Sequence, residues 1–249
     1  MTVRGFPCWP FAVLALVVFL SAARSAAAQD GLTRVDVELC LAVDGSGSIE
    51  EDEFVFQRQA YATAITHPDV VELISSGYRG SIAIALMEWG GADSMNPIVG
   101  WTRIASAEDA EAFALEVLAA PRKAVGWNSI SNAIAFCQRW MEENAFFGER
   151  LVIDVSGDAG QRGGLSLSAV RQEALNAGVV VNALALNYRS GGLTGPGGSP
   201  LLDHYENDVI VGTGSFALSV DSPEEFVSAL VRKLILEIAQ GEEAPGPEG

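Results

Sequence analysis

Apolar residues stand at Val35, Val37, Leu39, Leu41 and Val43, with Cys40 and Ala42 between the last three. The run stops at Asp44 and gives way to Gly45-Ser46-Gly47-Ser48. Such a run predicts a strand buried on both faces of a parallel sheet, and the glycines let the backbone turn sharply after it. Ile49, Phe54, Val55, Tyr61, Ala62 and Ile65 then recur at helical spacing, with Glu50 to Glu53 in the first turn, where acids favour the helix dipole. His67-Pro68 ends that helix, and a short helical turn spans Asp69 to Ser75. The pattern next predicts a strand over Ser81–Trp89, a turn at Gly90-Gly91 and a strand over Ile98–Ile104. Ser106 has the place of an N-cap for a helix to about Ala120, stopped by Pro121, and the loop Arg122–Asn128 feeds a helix from Ser129 to about Glu143.

The second half repeats the alternation. A strand over Arg150–Asp158 ends, like the first, in hydroxyl, glycine and acid, and the glycine-rich Gly160–Gly164 leads to a helix of about Ser168 to Ala177 with Gly178 as its stop. Val179–Leu186 is a fifth strand. Beyond Ser190–Pro200 come a short helical piece near Leu201–Glu206 and a sixth strand near Phe216–Val220. Ser222-Pro223-Glu224-Glu225 combines a capping box with proline at the first helical position, opening a helix whose face is Phe226, Leu230, Leu234 and Ile238. Strands alternating with helices of this length imply an α/β fold: a mostly parallel six-stranded sheet with helices on both faces.

In such sheets ligands gather beyond the carboxyl ends of the strands. Asp44, Ser46 and Ser48 stand there, one carboxylate and two hydroxyls, which is hard-oxygen chemistry suited to a small cation such as Mg²⁺. Asp158 closes the fourth strand as a second carboxylate. If the third strand returns antiparallel, the following helix climbs back and delivers Asn128 to the same rim. Glu88, Trp89, Trp127 and Ser190–Pro200 fall near it, and the two tryptophans there are candidate contact anchors or core edge.

Composition sets the setting. The 249 residues are 49% hydrophobic and 19% charged, enough for one sizeable core. Arg4, the apolar run Phe11–Leu20 and the Ala26-Ala27-Ala28 box follow the order of a secretory signal, so residues 1–28 are expected to be removed, leaving a domain over 29–240 and an acidic disordered tail over 241–249. The expectation is an exported chain, secreted or periplasmic, with no membrane insertion after signal removal. That removal takes away Arg4 and Arg24 and no acid, moving the net charge from −17 to −19, which argues against nucleic acid or an anionic membrane as partner. No pair of Cys or His has zinc-ligand spacing. Cys40 lies about 13 Å down its strand from Asp44, and Cys137 about 13 Å down its helix from Asn128. Matching depth places them close in the core, where a bridge and two buried free thiols both remain open.

Asp44-x-Ser46-x-Ser48 resembles the first loop of the metal-ion-dependent adhesion site of von Willebrand factor A domains, and the order of elements resembles that fold throughout the mature chain. The resemblance implies a von Willebrand factor A-like (Rossmann-like) fold and a metal site completed by a threonine in a second loop and an aspartate in a third. Asn128-Ser129-Ile130-Ser131-Asn132-Ala133-Ile134 resembles the second loop, usually Thr-x-Ile-Gly-x-Ala-Leu, with Asn128 at the threonine position and Ser129 as an alternative. The third loop, usually Thr-Asp-Gly, reads Ser156-Gly157-Asp158, its acid one residue late. Asp154 is a lesser candidate, below the rim. Met87-Glu88-Trp89, Val152–Asp158, Asn207–Phe216 and Lys233–Ile238 are similar to a bacterial subfamily of exported von Willebrand factor A-like proteins of unknown function.

The function so implied is a non-enzymatic binding module of adhesion type, holding Mg²⁺ or Mn²⁺ through Asp44, Ser46, Ser48, Asn128, Ser129 and Asp158 and recruiting a carboxylate of a protein partner. Two alternatives stand beside it. A metal-assisted hydrolase lacks a Gly-x-Ser-x-Gly elbow, a histidine beside a nucleophile and a second acid cluster. A structural exported domain with a degenerate metal site is favoured by the departures at Asn128 and Asp158.

Overall fold

A computed structural model describes residues 31–188 and 192–239. The expected signal segment, the cleavage point before Gln29 and the acidic tail lie outside them.

Six strands, β1 (Thr33–Asp44), β2 (Ile82–Trp89), β3 (Met95–Ile104), β4 (Phe146–Gly157), β5 (Val179–Leu186) and β6 (Ala217–Val220), form one sheet in the order β3-β2-β1-β4-β5-β6. β1 pairs parallel with β2, β4 with β5 and β5 with β6, while β3 returns antiparallel to β2. Gly148 lies beside Glu38 and Gly157 beside Asp44, so β1 and β4 also run the same way. The connection direction reverses between them. That is the crevice where open α/β sheets bind ligands.

Among the described residues seven α-helices flank the sheet: α1 (Glu51–Ile65), α2 (Pro68–Ser76), α3 (Ala107–Ala119), α4 (Ile130–Glu142), α5 (Leu167–Asn176), the short α6 (Leu201–His204) and α7 (Phe226–Ala239). One face buries Val37, Leu39, Leu41 and Val43 of β1 against α1, α2, α3 and α7; the other buries Cys40 and Ala42 against α4, α5, Leu201 and Tyr205. Alternate residues of β1 thus enter two different cores, which is why the strand is apolar almost without alternation.

Local signals act much as read. Ser106 accepts the Asp109 N–H as the cap of α3, and Gly178 takes the left-handed conformation (φ 72°) after α5. His67 caps the helix that begins at Pro68. Three differences have local causes. β4 begins at Phe146, where Asn144 and Gly148 both bond the buried Glu38 carboxylate and extend the pairing downward. β3 begins at Met95, opposite Trp89. Ser222 makes no side-chain cap, because a 3₁₀ turn over Pro223–Glu225 intervenes before α7.

Cys40 of β1 and Cys137 of α4 form a disulfide, with Cα atoms 6.0 Å apart. It joins the two elements whose rim ends carry Asp44 and Asn128.

Candidate functional site

Three loops meet above the β1–β4 crevice. In the first, Asp44 Oδ1 accepts the Ser46 N–H at 2.7 Å, a local turn that the small residues Gly45 and Gly47 permit. Ser46 Oγ lies 3.0 Å from Ser48 Oγ, and Ser48 Oγ donates to Asp158 Oδ1 at 3.1 Å. From the second loop, Asn128 Nδ2 donates to Asp44 Oδ2 at 3.0 Å. The structure therefore brings Asp44, Ser46, Ser48, Asn128 and Asp158 together.

Two of the residues considered from sequence point elsewhere. Ser129 Oγ turns to Asn132 Oδ1 (3.0 Å) and the Gly163 carbonyl (3.3 Å), so it fastens the second loop to the third. Asp154 faces Lys233 on the other side of the sheet. Trp89 is core: it is fully buried, with its indole N–H donated to the Ala42 carbonyl at 3.0 Å, while Trp127 is 65% exposed.

The cluster is closed as well as polar. Asp44, Ser46, Asn128 and Asp158 are buried, and Ser48 alone of the five is half-buried beside the exposed Gly47. Burial, and then the charge of Asp158, push the Asp44 carboxyl up to about 7; burial also raises Asp158, against hydrogen bonds from Ser48 and Asn128. Two buried carboxylates side by side favour a shared proton or a cation. Gly157 makes the apposition possible, since a Cβ there would lie 3.1 Å from Asp44 Oδ2 and 2.8 Å from the Tyr205 hydroxyl.

The donor set suits a hard ion. Two carboxylates, two hydroxyls and an amide that offers oxygen on rotation are all oxygen ligands, and the buried carboxylate pair is an anionic cradle. Among the described residues no group of three or more His, Cys, Asp and Glu converges, so nothing here resembles a zinc centre of soft ligands.

Much of what holds the rim carries no sequence signal. Glu88 Oε2 accepts the N–H groups of Lys123 (2.9 Å) and Ala124 (3.2 Å), its other oxygen pairs with the buried Arg58, and Arg122 donates to the Gly45 (3.0 Å) and Ser46 (2.7 Å) carbonyls. Glu88 was legible only as a rim position. Thr194, within the glycine-rich segment already placed at the rim, donates to the Asp158 carbonyl at 2.7 Å.

The fold is that of von Willebrand factor A domains. Solved structures of that fold superpose on the chain: proximal thread matrix protein 1 from the mussel byssus (TM-score 0.57, 13% identity, covering 83% of this chain and 47% of that one); the vWF domain of the type V pili tip protein Mfa5 from Porphyromonas gingivalis (0.54, 8%, 86% and 98%); and a von Willebrand factor type A protein from Catenulispora acidiphila (0.53, 12%, 81% and 42%). The mussel protein has also been solved with zinc in its MIDAS motif. The chain spans under half the length of the mussel chains. At these identities the likeness is one of fold. The chain belongs to the family described as "Protein of unknown function (DUF1194)", whose model matches residues 34–242. Curated protein sequences give no significant match.

Proposed function

We propose that the chain is a non-enzymatic binding module of adhesion type, in which Asp44, Ser46, Ser48, Asn128 and Asp158 hold a Mg²⁺ or Mn²⁺ ion and a protein partner contributes a carboxylate. The observation that carries this reading is the meeting of two buried carboxylates, Asp44 and Asp158, from the ends of β1 and β4. A bound divalent ion would supply positive charge and an open coordination position for the partner's carboxylate. Ser46 and Ser48 position their hydroxyls beside it, Asn128 would present its amide oxygen once the amide that now donates to Asp44 rotates, and the half-buried Ser48 marks the side of entry.

The comparisons support a binding role. A matrix protein and a pilus tip protein share the fold. Both histidines have other work: His67 caps α2, and His204 lies between the Gln161 N–H (3.2 Å) and Asp208 (2.8 Å). No helix among the described residues is long and apolar enough to cross a membrane, and we take the chain to act as an exported domain. The Asn128 amide nitrogen, bonded to Asp44, favours the second reading, a structural domain whose site works without metal.

A thermal-shift titration with Mg²⁺, Mn²⁺ and Zn²⁺ separates them. We expect a rise in Tm that follows RT ln(1 + [L]/Kd) and is lost in Asp44→Ala and Asp158→Ala. Equal responses from all three proteins would sink the metal site. Capture of a partner that survives EDTA would place the binding surface elsewhere.

A further inference from the structure

Beneath the rim, on the face covered by α7, lies a second polar cluster that the binding function does not use. Lys233 Nζ reaches Asp154 Oδ1 at 2.6 Å and also contacts Glu237, one helical turn further along α7. All three side chains are sealed: Lys233 and Glu237 are 0% exposed and Asp154 is 1%. Among the described residues no N–H or O–H other than the Lys233 ammonium reaches either Asp154 oxygen, and Glu237 Oε2 has no partner. Asn182 of β5 donates to Glu237 Oε1 at 3.1 Å, and the Phe216 ring stands 5.7 Å from Nζ.

Such an arrangement is costly as a set of ions. Taking an ammonium and two carboxylates out of water carries a desolvation penalty that their attraction repays only when the remaining lone pairs are satisfied, and here Asp154 Oδ2 and Glu237 Oε2 have no hydrogen-bond partner among the described residues. It is instead well arranged for condensation. A lysine amine and an aspartate carboxyl are held in contact, water is excluded, and a second carboxyl touches the amine. Reacting groups fixed in this way have effective concentrations on the order of 10⁵–10⁸ M. That compensates for the poor equilibrium of amide formation between free groups.

We propose that Lys233 and Asp154 condense to an internal amide that ties α7 to β4, with Glu237 as the proton carrier. In the first step the ammonium passes a proton to Asp154 along their contact, leaving a neutral amine beside a carboxylic acid. The Nζ lone pair attacks Asp154 Cγ and the carbonyl π pair moves to oxygen. Glu237, protonated, gives its proton to that oxygen and accepts one from nitrogen. The Cγ–OH bond then breaks as the carbonyl re-forms, and the hydroxyl leaves with a proton as water. One amine and one carboxylic acid become one amide and one water. Glu237 ends as it began, and no oxidant or further reactant is needed. Burial raises the Glu237 carboxyl to about 7, which keeps the required proton within reach near neutrality.

The test is the mass of the full chain, expressed from Met1, recovered folded, then denatured and reduced. The wild type should be lighter by one water than the sequence counted from its observed N-terminus, with a branched tryptic peptide joining Lys233 to Asp154 and no cleavage after Lys233. Glu237→Gln and Lys233→Arg should give the full mass with a native circular-dichroism spectrum. A wild-type chain of full mass overturns the proposal. Loss of ammonia in place of water, or a branch to Glu237, overturns it as well, because the carbonyl partner would then be Asn182 or the neighbouring helical acid. Both arms are read on the wild type, so a variant that fails to fold leaves the answer intact.

Discussion

Asp44 holds its proton more tightly when folded than when unfolded, because the folded rim buries it beside Asp158. Between the ordinary value of 3.8 and about 7 the native chain therefore binds more protons than the unfolded chain. Stability then falls as pH rises through that window. The expected result is a metal-free Tm that declines from about pH 4 to about pH 7, with a shallower decline in Asp44→Asn and in the presence of saturating Mg²⁺, which takes the proton's place. A slope identical in all three would remove Asp44 from the account. Asp44, Ser46 and Ser48 were legible because they lie within five consecutive residues, and one turn is enough to gather them. Asn128 and Asp158 needed the order of the elements. Which of Asn128 and Ser129 turns inward was not legible, since it depends on Ser129 finding Asn132 and the Gly163 carbonyl.

At the scale of elements, a buried ion pair fixes a loop. Glu88, next to last in β2, takes two backbone N–H groups of the segment leading to Asn128 and is held in turn by Arg58 of α1. Removing one partner of a buried pair leaves the other charged and unpaired, at about 3–5 kcal/mol. Arg58→Met should lower the urea midpoint accordingly and also blunt the Mg²⁺ response, because Asn128 loses its anchorage. A stability loss with the metal response intact would confine the pair to a structural role. Strands and most helices could be read from apolar spacing, caps and glycine stops. Arg58 could not, since a cation on the buried side of a helix contradicts the period and is explained only by a partner on another element.

For the molecule as a whole, the disulfide is the long-range constraint. Cys40 and Cys137 are 97 residues apart in sequence and join β1 to α4 across one of the two cores. Sequence depth brought them near each other but left bridge and free thiols open, because side-chain direction emerges only from packing. Replacing both by alanine should cost about 2–4 kcal/mol, measured as a change in denaturant midpoint with little change in slope. A double variant as stable as the wild type would show the bond to be incidental to stability.

The lower end of the sheet has a consequence of a different kind. Arg34 and Glu149 meet there, and Arg150 donates to the carbonyls of Glu237 and Ile238, so β1 starts and α7 finishes at the end opposite the rim. Tension applied between a partner held at Asp44 and the chain at Arg34 would run lengthwise along β1. Its pairings with β2 and β4 would then be sheared together, where a sideways pull would peel them one after another. The disulfide at Cys40, partway along that strand, would pass part of the load to α4.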